Sequence, residues 1–461
     1  MNSPRSPIPS LTRRSLLRIG GVSLAGFELL PFAPPLNAAA KQKVNPRGTA
    51  EYCIFVFLQG GASHVDSFDL KEGKWTPPDF DVRTIHPDLK MPTGLFPKLS
   101  QCTDKFAIVR SLEAWETEHG RATYYLHVAH QVSPARVHEI PSLGALIAYE
   151  FQGKRKPSDF LPPFVSMNYG PDQIKEGMLD SKYAPLNFDT KGGDLSFVVP
   201  AEERTRFDRR VGYLKALGEL KPSAIAPDSH PIAALDAFRS DALTMMNSAQ
   251  IPNILSIGDE DKKRYGDTEF GNACILARNI LKSESGTRFI AINHGGWDFH
   301  VKIYEKSQKA NHYTKSRDLD GGLAVLLSDL EQTKDQDGRS LLDKTLVVVM
   351  GEFGRTPGEL SPGLGRDHHR YAMSGLFAGG GVKGGKVLGV TDAEGGRVLK
   401  ADWSKKRSMY PEDVAATIYS ALGIDWTKEI KTTPSGRVFE YLEFQSGTSF
   451  LDVGEISELF V

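Results

Sequence analysis

The 461-residue chain reads as an α/β protein, a mostly parallel central sheet flanked by helices. Three observations predict this. Short apolar runs recur along the chain, each about the length of a buried strand. Stretches with helical spacing alternate with them. Polar clusters follow three of the runs directly, at the carboxyl ends of strands, where such sheets gather their chemistry.

Taken in order, "EYCIFVFLQGG" predicts a buried strand from Tyr52 to Leu58 that stops at glycines. A loop-rich segment with Pro77, Pro78, Pro87, Pro92 and Pro97 follows. "FAIVRSL" predicts a second strand. "RATYYLHVAHQ" and "SLGALIAYEFQ" show helical spacing, and Pro141-Ser142 suits the start of the latter. "PPFVSMNYG" predicts a third strand. Residues 171–200, rich in Gly, Asp and Lys, read as irregular. "EERTRFDRRVGYLKAL", "PIAALDAFRSDALTMMNSA" and "FGNACILARNILKSE" read as helices. "TRFIAINHGG" predicts a strand, "GGLAVLLSDLEQTK" an amphipathic helix, and "TLVVVMGEFGRTP" a buried strand from Thr345 that ends at Gly351. "YAMSGLFAGGGVKGGKVLG" predicts one or two short strands with glycine turns. "PEDVAATIYSALGI" predicts a helix with Pro411 at its start. With no internal repeat and no convincing linker, residues 41–461 read as a single domain with insertions.

Apolar content of 40%, charged content of 25% and a formal charge of −1 give no basic excess for nucleic acid. Cys53, Cys102 and Cys274 lie far apart and form neither a metal spacing nor a disulfide framework. The N-terminus has the layout of an export signal. Arg13 and Arg14 precede an apolar run from about Ile19 to Ala33, and "NAAAK" offers small residues for cleavage after Ala40. The run is interrupted by Glu28, Pro31, Pro34 and Pro35, which suits a cleaved signal better than a membrane span. The arginine pair points to the twin-arginine route and a periplasmic or otherwise extracytoplasmic protein. The alternatives are an uncleaved anchor or a tail without structure.

The first cluster, "LQGGASHVDSFD", offers Gln59, Ser63, His64, Asp66 and Asp69. Its two aspartates suit a hard cation; they equally suit a capped turn. The second, "NHGGWDFHVK", holds His294, Asp298 and His300, either a ligand pair or a structural Asp–His bond. The third joins Glu352, Arg355 and Thr356 to Asp367, His368 and His369. Arg355 has the fork geometry to grip an oxyanion, or to pair with Glu352. Neighbours in an extended segment point opposite ways, so one of the two histidines belongs to the site, and His368 is the one expected. A fourth region, "AWETEHGRATYYLH", supplies Glu116, Thr117, Glu118, His119, Arg121 and Thr123, as nucleophile or base, or as a cap on the next helix.

Together, the twin-arginine segment, "FLQGGASHVDSFD", "YGDTEFGNACILARNIL", "GGWDFH", "LVVVMGEFGRTP", "GRDHH" and "LFAGGGVKGGKVLGVTD" resemble an exported bacterial family known as domain-of-unknown-function family 1501. The motifs occur in the family's order over nearly all of the chain beyond the signal. The resemblance implies a fold similar to the alkaline-phosphatase-like superfamily of phosphatases, sulfatases and phosphoglycerate mutases. Members use two divalent metals, or one in sulfatases, with a Ser, Thr or modified Cys nucleophile. Position by position, the first-strand aspartate falls near Gln59, a poor ligand, so Asp66 or Asp69 stands in. The Asp-x-x-x-His pair resembles Asp298 and His300 at a shorter spacing. The later Asp-His pair falls at Glu352 and Phe353, keeping only the carboxylate. The late histidine resembles His368, and the nucleophile falls between Thr117 and Thr123.

The resemblance thus implies Asp66, Asp298, His300, Glu352 and His368 as metal ligands, with Thr117, His119 and Arg355 in catalytic roles. One or two divalent ions are implied (zinc, manganese, calcium or magnesium), the losses at Gln59 and Phe353 weighing against a full pair. The expected function is an exported metal-dependent hydrolase of phosphate or sulfate esters, small-molecule or glycan. No nucleic-acid partner is expected, and no stable membrane span after signal cleavage. The alternative is a non-catalytic exported protein that kept the fold and binds glycan or an envelope partner. A redox role is set aside, since the chain carries no haem motif, iron–sulfur cysteine pattern or dinucleotide fingerprint.

Overall fold

The structure, a computed structural model, describes residues 44–191, 199, 201–219, 240, 242–443 and 452–461. The expected signal at residues 1–40 lies outside the described residues, as do residues 231–239 and 241 of the helix expected at 231–249.

The central sheet is built from strands whose side chains are buried on both faces. That is why they read as continuous apolar runs rather than alternating ones. β1 (Tyr52–Phe57) is buried throughout. A hairpin of β2 (Val82–His86) and β3 (Leu89–Pro92) occupies the proline-rich segment. β4 (Phe106–Leu112), β5 (Phe164–Met167), β6 (Leu186–Phe188), β7 (Phe289–Asn293) and β8 (Thr345–Met350) follow. Two-residue strands β9 (Gly354–Arg355) and β10 (His368–His369) pair with each other. β11 (Met373–Ala378) and β12 (Val387–Leu388) rejoin the sheet.

The eight-stranded order is β12-β4-β11-β8-β1-β7-β5-β6. Every neighbouring pair is parallel except the two made by β11, which runs against β4 and β8. This mostly parallel sheet flanked by helices is the fold class expected. β6 is the surprise, since its stretch reads as irregular. It is only three residues long and sits at the sheet edge beside β5, too short to show a pattern.

Alternate residues of β1 feed two cores. Cys53, Phe55 and Phe57 pack on the side of α2 (Leu143–Phe151) and α6 (Pro411–Ala421). Tyr52, Ile54 and Val56 pack on the side of α4 (Glu269–Lys282) and α5 (His312–Gln332). Two further helices are α1 (His119–Val128) and α3 (Arg204–Glu219). The caps explain the starts: Ser142 receives Ala145 N–H and Thr268 receives Gly271 N–H. α5 begins nine residues before the expected Gly321. Asn311 and Thr314 form a reciprocal cap there, and the polar first turns hide the helix from an apolar periodicity. Val44–Val461 form one compact unit. No described helix is long and apolar enough to cross a membrane.

Because β1, β4, β7 and β8 run in one direction, the loops after them leave the sheet at one edge. β11 runs the other way, so its amino end lies at that edge too. The residues just before it, His368 and His369, are carried there.

Candidate metal centre

His119, Asp298, His300 and His368 each offer a ligand atom, and these four atoms lie within 4.8 Å of one another. Asp298 and His300 follow β7, His119 opens α1 after β4, and His368 precedes β11. Asp298 Oδ1 is 3.0 Å from His300 Nε2, 3.4 Å from His119 Nε2 and 3.5 Å from His368 Nε2. His300 Nε2 and His368 Nε2 are 3.0 Å apart.

The other face of each ring fixes its tautomer. His119 Nδ1 meets Glu352 Oε1 at 2.7 Å, His300 Nδ1 meets Asp367 Oδ1 at 2.7 Å, and His368 Nδ1 meets the Thr117 carbonyl at 2.6 Å. All three partners accept, so each Nδ1 carries the proton and each Nε2 turns a lone pair inward. Two lone pairs facing each other at 3.0 Å repel unless a cation or proton stands between them. His119 Nε2 is buried with no hydrogen-bond partner among the described residues. A tetrahedral site with ~2.05 Å bonds has ligand atoms about 3.3 Å apart, close to the spacings around Asp298. The donor set, the spacing and the orphaned nitrogen all fit one metal ion. Imidazoles anchored through Nδ1 by carboxylate or carbonyl are the usual outer support of such a site.

Electrostatics follow the same contacts. The bond to Glu352 raises the His119 pKa, against an opposing effect of burial. Burial lowers that of His368, and the nearby Arg355 charge adds to it. Burial works against the Asp298 charge, but the bond and charge of Arg355 outweigh it and hold the carboxyl below its usual range.

Glu352, expected as a ligand, stands one bond behind the centre. Its side chain is fully buried and accepts from Gly60 N (2.9 Å), Gly61 N (3.0 Å) and His119. Gly60 has φ +108°, and a Cβ there would meet Asp298 N at 2.6 Å, so only glycine lets these loops close up.

Arg355, expected to grip an oxyanion, has all three nitrogens engaged. Nε donates to Gly61 O (2.9 Å), Nη1 to Arg366 O (2.9 Å), and Nη2 to Gly60 O and to Asp298 Oδ1 (2.5 Å). It clamps the strand-end loops and aims Asp298. It also faces His368 across the β9–β10 pair.

Asp66, another expected ligand, is drawn away from the centre into a buried pair with Arg366 (2.6 and 3.1 Å), with Ser63 and Tyr304 hydroxyls completing its bonds. Arg366 also donates to Thr356 O and Gly358 O, and so holds the loop that carries Asp367 and His368. Thr117, expected in a catalytic role, is exposed and contributes its carbonyl to His368. His369 turns the other way, to Gly396 O at 2.7 Å. Asp367 had no role assigned from the sequence; its place in "GRDHH", beside two histidines, was the available signal.

Residues 50–446 match the family described as "Protein of unknown function (DUF1501)". No curated protein matches the chain. Similar solved structures include a protein in the alkaline phosphatase superfamily from Vibrio parahaemolyticus, 12% identical, covering 83% of this chain and 69% of that one with TM-score 0.39. The lipoteichoic acid synthase LtaP from Listeria monocytogenes is 10% identical, with coverages of 82% and 73% and TM-score 0.35. The phosphonate monoester hydrolase SpPMH from Silicibacter pomeroyi is 10% identical, with coverages of 81% and 73% and TM-score 0.36.

Proposed function

We propose, for a chain that belongs to the DUF1501 family of proteins of unknown function, that it is a metal-dependent hydrolase of phosphate or sulfate esters. The observation that carries this reading is the convergence of three imidazole Nε2 atoms on Asp298 Oδ1, each ring anchored from behind. The ester class comes from the motif resemblance. Three nitrogens and one oxygen favour zinc or another transition metal over calcium and magnesium, which prefer oxygen donors.

A bound ion there supplies Lewis acidity toward an ester oxygen. The protein's part is orientation. Glu352, Asp367 and the Thr117 carbonyl hold the three rings, and Arg355 holds Asp298 against the pull of its other partners. The twin-arginine segment supports placing the protein outside the cytoplasm.

The test is elemental analysis of the full chain purified without chelator. About one equivalent of zinc or a similar ion is expected, lost in a His300→Ala/His368→Ala variant that keeps its fold. The loaded protein should then cleave aryl phosphate or sulfate esters. A folded protein that takes up no metal on incubation overturns the reading. A second reading, a binding protein without turnover, is favoured by the engagement of all three Arg355 nitrogens, which leaves that guanidinium committed to the protein itself. A metal-loaded chain inert toward both ester classes would select it.

A further inference from the structure

A cavity of about 480 Å3 opens beside His119 and Gln59, between the start of α1 and the segments around Val132–Val137 and Asp172–Gln173. That volume is in the range of small-molecule sites. Its charges are internally matched. Arg121, the one Lys or Arg of the lining among the described residues, bonds Glu116 at 3.1 Å. Asp172 pairs with Lys175 at 2.7 Å, and Glu118 caps α1 by accepting from Gly120 N and Arg121 N. Among the described residues, the lining therefore offers no uncommitted Lys or Arg to an anionic polymer. Arg136, outside the lining, faces Glu139 at 3.6 Å, its charge reaches Tyr124, and its Nε and Nη2 have no hydrogen-bond partner among the described residues.

The neutral groups, by contrast, keep spare capacity. Gln59 and Gln173 use Oε1 on Asn293 (2.7 Å) and Gly170 N (2.7 Å), which leaves each amide NH2 to donate. The Tyr124 hydroxyl is buried with no partner among the described residues. A buried polar group left unmatched is costly, so such a group invites one on a ligand. Val132, Val137 and the Tyr124 ring add apolar surface beside these donors. Neutral hydrogen-bond donors beside apolar faces suit a sugar ring, which is amphipathic in the same way.

We infer that this cavity is a subsite for the uncharged sugar portion of a glycan ester whose anionic group lies at the metal centre. The inference deepens the hydrolase reading and rests on it for the position of the ester.

The test presents the full chain to an array of neutral oligosaccharides and their sulfated counterparts, then titrates the best neutral one by calorimetry. Neutral glycans should be retained, and with the metal chelated the sulfated counterparts should bind no more tightly than the neutral ones. A Gln59→Ala/Gln173→Ala variant should bind at least tenfold more weakly with unchanged metal content and a retained fold. Tyr124→Phe, which removes only the hydroxyl, serves if that variant fails to fold. Chelation should leave the neutral-glycan affinity within threefold, so failure of the metal reading and failure of this one appear in different measurements. Retention of no neutral glycan, tighter binding of the sulfated forms by the chelated protein, or undiminished binding by the variants overturns the subsite.

Discussion

Asp66 shows how one partner redirects a residue. Its carboxylate is fully buried against Arg366, and the pair is surrounded by hydroxyls and carbonyls. The pull of the charged partners holds its pKa below the usual carboxylate range, although burial, the largest single effect, works the other way. Breaking a buried pair by removing one member costs about 3–5 kcal/mol, because the other charge is left alone. Asp66→Asn should therefore unfold at lower urea by that order. The same variant should still take up about one equivalent of metal wherever it remains folded, because Asp66 is not among the four converging side chains. Loss of the metal without loss of stability would show that Asp66 is a ligand after all.

At the scale of the element, α6 starts on a buried acidic turn. Pro411 fits the first helical position, where its missing N–H is not needed. Asp413 accepts from Tyr410 N at 2.9 Å and pairs with Arg407 at 2.7 Å. Among the described residues, no cation is paired with Glu412. It accepts from the Tyr125 hydroxyl and from Trp115 Nε1 at 3.1 Å, which ties α6 to α1 and to the loop before it. Burial pushes its carboxyl up to about 7 from an ordinary 4.5. A raised acid holds its proton better in the folded state than in the unfolded one. Its contribution is therefore full below about pH 4.5 and is lost as pH rises to 7, by on the order of 3 kcal/mol. Glu412→Gln removes this titration. Urea unfolding at pH 5 and pH 8 should show the variant gaining on the wild type by that order as pH rises. Parallel pH profiles would sink the assignment.

For the molecule as a whole, the centre is where separate stretches of chain meet. Its ligands come from the loops after β4 and β7 and from the segment before β11, with β1 and β8 loops behind them. An ion bound to all of these stabilises the folded state by mass action, by about 2.7 kcal/mol at a hundredfold excess over Kd. Chelation should lower the melting temperature. It should also speed amide exchange around 117–119, 298–300 and 367–368, leaving the α4 and α5 cores unchanged. Equal exchange with and without chelator would mean that no ion links these loops.

How much of this was legible in the sequence depends on whether the cause is local. The strands β1, β4, β5, β7 and β8 and the polar clusters behind them were readable, because burial on both faces writes a continuous apolar run and a strand end writes a sharp change to polar residues. Asp298, His300, His368 and His119 were all singled out on that basis. Their roles were not readable. Glu352 and His119 are 233 positions apart, and only the sheet decides that one holds the other while the other faces inward. Arg355 had the chemistry of an oxyanion grip until Gly60, Gly61 and Asp298 took its nitrogens. The sequence determined by itself which long apolar segments are sheet strands and which residue types wait at their ends. The tertiary structure decided which hydrogen-bonding groups of those residues are spent on the protein and which are left to act, because partner choice depends on what stands opposite in space rather than next in the chain.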